Sequence, residues 1–99
     1  MMDKSLAMPL SLLQTRLVSE VMMTLSQASY RRQRVWLRYR ATDGRETERE
    51  VDPYGLVYTI GYWYVAGFCR LRQALRTFRI DRVAQVELRH ETFTPPADL

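Results

Sequence analysis

The sequence predicts a mainly β fold, in which one amphipathic α-helix leads into a small five-stranded β-barrel. Three observations carry that expectation. The apolar period is helical from about Leu10 to Arg32 and changes to two at Arg34. Turn-forming Gly, Pro and Asp then punctuate the chain between short alternating segments, as hairpin connections require. The chain has 99 residues, 46% hydrophobic and 26% charged, enough for one modest core but not for two domains.

Residues 1–9 read as a lead-in closing at Pro9. Over 10–32 the residues Leu13, Leu17, Val21, Leu25 and Ala28 fall on one stripe, widened by Val18 and Met22. Arg16, Glu20, Thr24, Gln27 and Arg31 occupy the opposite face, which Met23 interrupts. Ser11 is a candidate N-cap, and Arg31 and Arg32 suit the negative end of the helix dipole. So wide a stripe must pack, either on the sheet or on a second copy, so a homodimer through helix 10–32 is one expectation.

In the first strand Val35, Leu37 and Tyr39 point one way and Arg34, Trp36, Arg38 and Arg40 the other. Thr42-Asp43-Gly44 is a hairpin signal. A two-residue loop would set Arg38 opposite Arg49. A three-residue loop with Gly44 left-handed sets Arg40 opposite Glu46 and Arg38 opposite Glu48, and charge favours it. The run Asp43 to Asp52 is then mostly a solvated strand face. Asp52-Pro53 is expected to interrupt the ladder before a third strand, 54–58. Ile60-Gly61 turns the chain into a fourth strand, Tyr62–Cys69, with Trp63, Val65 and Gly67 on one face and Tyr62, Tyr64, Ala66 and Phe68 on the other. After a loop at 70–75, a fifth strand, 76–80, carries Phe78 and Ile80 inward. A turn at Asp81-Arg82 leads to a last strand, 84–90, and Thr94-Pro95-Pro96 opens a tail, 94–99. Five or six short bent strands joined by hairpins, over 33–93, suit a barrel of the SH3-like or Sm-like type.

Charge is patchy. The formal net charge is +4, and fourteen of the fifteen cations are Arg, the better residue for bidentate phosphate contacts and for stacking on rings. Residues 53–69 carry no formal charge. Between Arg70 and Arg82, by contrast, Arg70, Arg72, Arg76, Arg79 and Arg82 face the single acid Asp81. An aromatic strand running straight into an arginine-rich one suits an anionic, aromatic ligand: single-stranded DNA or RNA, or a nucleotide. Tyr64 is the better candidate for a groove, while Trp63 shares a face with the core residue Val65.

Catalysis is not expected. His90 is the only histidine and has no partner set for nucleophilic chemistry, Cys69 and His90 together cannot build a metal site, and no glycine-rich phosphate loop is present. No cofactor is implied. One cysteine rules out an intrachain disulfide, no run is long enough to span a bilayer, and the N-terminal residues do not read as a signal peptide, so a cytoplasmic location is the expectation.

The run Trp63-Tyr64-Val65-Ala66-Gly67-Phe68-Cys69-Arg70-Leu71-Arg72, followed by Arg76-Thr77-Phe78-Arg79-Ile80-Asp81-Arg82-Val83, closely resembles the WYL domain of bacterial transcriptional regulators. Leu37-Arg38-Tyr39 and Asp52-Pro53-Tyr54-Gly55-Leu56 agree with it, and the resemblance covers about residues 17–93. Val65 stands where the family's name has Leu, a conservative change at a core position. The resemblance implies an Sm-like barrel that senses a nucleic-acid or nucleotide effector, usually behind a helix-turn-helix. No helix-turn-helix lies within these residues, so they read as the sensing module, free-standing or part of a larger regulator. By position it assigns Trp63 and Tyr64 to stacking or shaping, and Arg70, Arg72, Arg76, Arg79 and Arg82 to phosphate contact, with Asp81 orienting Arg82. The alternative is an interaction or dimerisation module of a larger regulator, without a nucleic-acid ligand of its own.

Overall fold

The computed structural model describes residues 10–97, with side chains from Leu17 onward. The lead-in, the expected roles of Leu13, Arg16 and Ser11, and the last two residues lie outside them. Helix α1 (Leu10–Arg31) is followed by β1 (Gln33–Arg40), β2 (Glu46–Thr59), β3 (Tyr62–Cys69), β4 (Ala74–Arg79), a 3-10 turn (Ile80–Arg82) and β5 (Val83–Thr92). The strands form one antiparallel sheet in the order β4-β3-β2-β1-β5. No helix among the described residues is long and apolar enough to cross a membrane.

The helix ends at Arg32, whose left-handed φ of 57° breaks the α geometry while its carbonyl accepts the Phe93 N–H at 2.9 Å. Val21, Leu25 and Ala28 are buried, and the helix packs on β1, β2 and β5. The apolar stripe is covered unevenly: Leu17 is 53% exposed, whereas Val18 and Met22 pack against the core.

The β1–β2 hairpin adopts the register that charge favours, with Arg40 opposite Glu46 and Arg38 opposite Glu48. Gly44 takes φ 87°, and the Ala41 N–H donates to the Arg45 carbonyl at 2.8 Å, closing the three-residue loop. Asp52-Pro53 departs from expectation. It does not end a strand: β2 runs unbroken through it for 14 residues, which merges the expected second and third strands into one. Pairing with β1 stops at Val51, and pairing with β3 starts there, so one long strand bends from one neighbour to the other. A register shift between Pro53 and Gly55 marks the bend.

The inner face of the sheet carries Val35, Leu37, Val51, Val65, Cys69 and Phe78, all buried, with Ile80 and Val83 closing one end. Curvature follows from contacts between distant strands. In sheet order β1 and β4 are three strand spacings apart, roughly 14 Å if flat. Yet the Tyr39 and Phe78 rings meet edge-to-face at 5.2 Å, and the Tyr39 hydroxyl accepts the Arg79 backbone N–H at 3.1 Å. The sheet therefore curls until β4 reaches β1.

Gly67 makes the bend of β2 possible. A Cβ there would collide with the Asp52 carbonyl oxygen and come within 3.0 Å of Pro53 Cα and Val51 Cγ1. Two of these three atoms are backbone, so relief requires the strand itself to shift. Gly67→Ala is expected to destabilise the fold by about 1–3 kcal/mol, read as a lowered urea midpoint; an unchanged midpoint would show that the bend does not need the close approach.

Candidate functional site

Cross-strand partners share a face, so the register sorts the arginines. Arg76 lies opposite Gly67 and Phe78 opposite Val65, on the inner face, whereas Arg79 lies opposite Tyr64 on the outer face. On the other hairpin, Arg49 lies opposite Leu37 and Thr47 opposite Tyr39, again facing inward. Beyond the end of the apolar core these residues line a cavity of about 410 Å³. Tyr39 and Phe78 line it together with Arg45 and Arg49 from the first hairpin, Arg72 from the β3–β4 connection and Arg76 from β4. Thr47 and Thr77 add hydroxyls, and Asp43 is the single acid among the lining residues.

That acid is already engaged. Its carboxylate accepts the Arg45 backbone N–H at 3.0 Å and the Arg45 Nε at 3.1 Å, which holds Asp43 below the usual carboxylate range. Arg49 donates to Thr47 Oγ1 at 2.6 Å and lies with Cζ 5.4 Å from the Phe78 centroid. Arg72 and Arg76 are exposed and have no ion pair among the described residues. The cavity therefore combines four guanidinium groups, three of them (Arg49, Arg72 and Arg76) without an ion pair among the described residues, with two aromatic rings.

The predicted cluster is thus divided. Arg72 and Arg76 come together, but the other five positions lie elsewhere. Arg70 turns to Asp52, a buried carboxylate that it approaches at 3.4 Å and that also accepts Arg34 Nε at 2.7 Å. Arg79 is held on both nitrogens by Asp81, at 2.9 and 2.7 Å, with its Cζ 3.6 Å above the Tyr62 ring. Asp81 thus grips Arg79, not Arg82 as expected, because the 3-10 turn places its carboxylate beside the side chain two residues earlier. Arg82 lines a separate groove between α1 and β5. Tyr64 faces outward beside Arg79, and Trp63 packs against Tyr58 at 5.2 Å, 41% exposed at the far end of the β2–β3 hairpin.

Sequence reasoning missed Arg45, Arg49 and Tyr39, having assigned the first two to a solvated acidic strand. The signal was present: the register that pairs Arg38 with Glu48 also places Arg49 opposite inward-facing Leu37. Among the described residues no group of His, Cys, Asp and Glu is arranged to hold a metal; Cys69 is buried and His90 exposed.

A family model for the WYL domain matches residues 20–88. An uncharacterized HTH-type transcriptional regulator of Bacillus subtilis (strain 168), YobV, is 34% identical over 55 residues, which are 56% of this chain and 18% of that regulator. Among solved structures, proteasome accessory factor B/C (PafBC) of Arthrobacter aurescens shares the fold with a TM-score of 0.75 and 28% identity, over 83% of this chain and 13% of that one. The chain spans less than a fifth of the length of either.

The Arg79–Asp81 pair has a pH signature. The Arg79 hydrogen bonds hold Asp81 below its ordinary value and raise Arg79 above its own. A depressed folded value means stability that is present above about pH 4, where an unfolded aspartate is ionised, and lost as pH falls through the folded value. Asp81→Asn is expected to lower stability at about pH 7 by ~0.5 kcal/mol, the scale of a partly exposed pair, and to matter less at about pH 2. Equal losses at both would assign the effect to packing.

Proposed function

The chain belongs to the WYL domain family, and on that premise we propose that it is a non-enzymatic, ligand-sensing domain of a transcriptional regulator, binding single-stranded nucleic acid or a nucleotide effector in the arginine-lined cavity. The observation that carries this reading is the convergence of Arg45, Arg49, Arg72 and Arg76 on Tyr39 and Phe78. Guanidinium groups supply phosphate contacts, and ring faces accept a base whatever its identity. The resemblance of the fold to PafBC and of the sequence to an HTH-type regulator supports the regulatory setting. The curled sheet fits the Sm-like barrel that the family resemblance implies.

This reading relocates the ligand surface. Arg70 and Arg79 are neutralised by Asp52 and Asp81 and act as struts, whereas Arg72 and Arg76 are available. With a labelled single strand in fluorescence anisotropy, Arg72→Ala combined with Arg76→Ala is expected to weaken binding at least about tenfold and to reduce the slope of log K against log salt by ~1.4, two phosphate contacts' worth. Arg79→Ala is expected to leave binding nearly unchanged while lowering stability. The reverse pattern would return the site to the outer face.

A second reading, docking or dimerisation through 10–32, is favoured by a specific observation: Met23 and Tyr30, one heptad apart on the outer side of α1, are 73% and 89% exposed. Sedimentation velocity is expected to show a concentration-dependent dimer that Met23→Glu disperses; a monomer at all concentrations would remove self-association.

A further inference from the structure

Building on the reading of the cavity as a nucleic-acid or nucleotide site, we propose that the group it selects is a dianionic phosphomonoester, carried by the end of a single strand or by a free nucleotide, and not the interior of a strand. The first ground is charge density. Four guanidinium groups and one carboxylate line about 410 Å³, and that carboxylate is held on both oxygens by Arg45. A cavity of this size accommodates a small ligand of roughly nucleotide dimensions. An internal phosphodiester brings one negative charge, whereas a terminal phosphate brings nearly two, with three strong acceptor oxygens on one phosphorus. Only the terminal group matches so many donors in so small a space.

The second ground is Arg49. It is half-buried among the lining residues, and its Nε is buried without an acceptor. Its remaining contacts are the Thr47 hydroxyl and, at 3.8 Å, the Cys69 sulfur, a weak acceptor. The neighbouring Glu48 and Glu50 alternate to the outer face, where Glu50 meets Arg89 at 3.4 Å. A half-buried guanidinium with no carboxylate, over an aromatic ring, is costly in the empty protein. An incoming anion supplies the missing acceptor. Arg49 is therefore the anchor, with Arg72 and Arg76 closing over the phosphate from the opposite hairpin.

The test exploits the titration of the ligand. A phosphomonoester loses its second proton near pH ~6, and a phosphodiester does not titrate there. The groups facing the cavity are the four arginines, which do not deprotonate in proteins, the Tyr39 hydroxyl, engaged by the Arg79 N–H, and Asp43, held low by Arg45. A change in affinity through pH ~6 thus reports the phosphate. Labelled deoxyoligonucleotides of about ten residues, within the range of single-strand site sizes, are compared with a 5′-phosphate, a 3′-phosphate or hydroxyls at both ends. A nucleoside monophosphate and its nucleoside serve as competitors.

One phosphorylated end is expected to bind about tenfold tighter than the unphosphorylated strand, the scale of one added charge-assisted contact, with the advantage shrinking as pH falls below about 6. Arg49→Ala should abolish that advantage with the urea midpoint retained; Arg72→Ala serves if the first variant does not fold. A phosphorylated strand that outcompetes the mononucleotide identifies a strand end as the source, and comparable competition identifies a free nucleotide. Equal, pH-independent binding of all three strands overturns the inference and leaves strand binding standing. Binding of none overturns both.

Discussion

The contact between Tyr39 and the β4 segment Phe78–Arg79 is the constraint on which the rest of the structure depends. It is the place where a sheet with two open edges turns back on itself. The ring packs edge-on against Phe78 and the hydroxyl accepts the Arg79 N–H, so β1 is tied to β4 by both side chain and backbone. Phe78, 2% exposed, lies beneath that contact. The 3-10 turn that follows then carries Ile80 into the core and delivers the chain to the other edge of the sheet. The same ring lines the cationic cavity, so the element that shuts the fold also shapes the surface offered to a ligand.

Curling to that extent requires a strand that can change partners midway. Val51 pairs with Val35 on one side and Cys69 on the other, and the residues after it leave β1 altogether. Proline has no N–H to offer a ladder, which suits Pro53 to the place where pairing with β1 has ended. Glycine at 67 lets the two backbones approach. The buried Asp52 stands at this bend and draws in Arg34 and Arg70, one cation from each neighbouring strand region. A carboxylate so placed ties three elements together, and removing it would leave Arg34 without its closest ion pair.

Electrostatics divides the arginines into two populations. On the outer face they interlock with acids: Arg34 and Arg70 with Asp52, Arg38 and Arg40 with Glu46, Arg79 with Asp81, Arg89 with Glu50 and Glu87. Most of these pairs are partly exposed and individually contribute little, but they consume the nearby cations. At the mouth of the inner face, among the described residues lining the cavity, only Arg45 meets an acid, Asp43. The net basic charge is therefore expressed at a few positions, and counting charges along the chain does not reveal which.

The sequence by itself determined the period change at Arg34, the loop at Gly44 and the register of the first hairpin, because these depend on neighbours in the chain and on charges directly opposite. It also determined the family, through two spaced motifs that survive any uncertainty about packing. The inward positions of Val65 and Phe78 were equally legible from alternation. What only the tertiary structure decided was the sorting of the arginines. Whether Arg79 is a ligand contact or a strut depends on the 3-10 turn that brings Asp81 beneath it, and the fate of Arg70 depends on an acid 18 residues away. Arg49 and Tyr39 joined the site because the sheet curls, and curling is set by long-range contacts that no local period records.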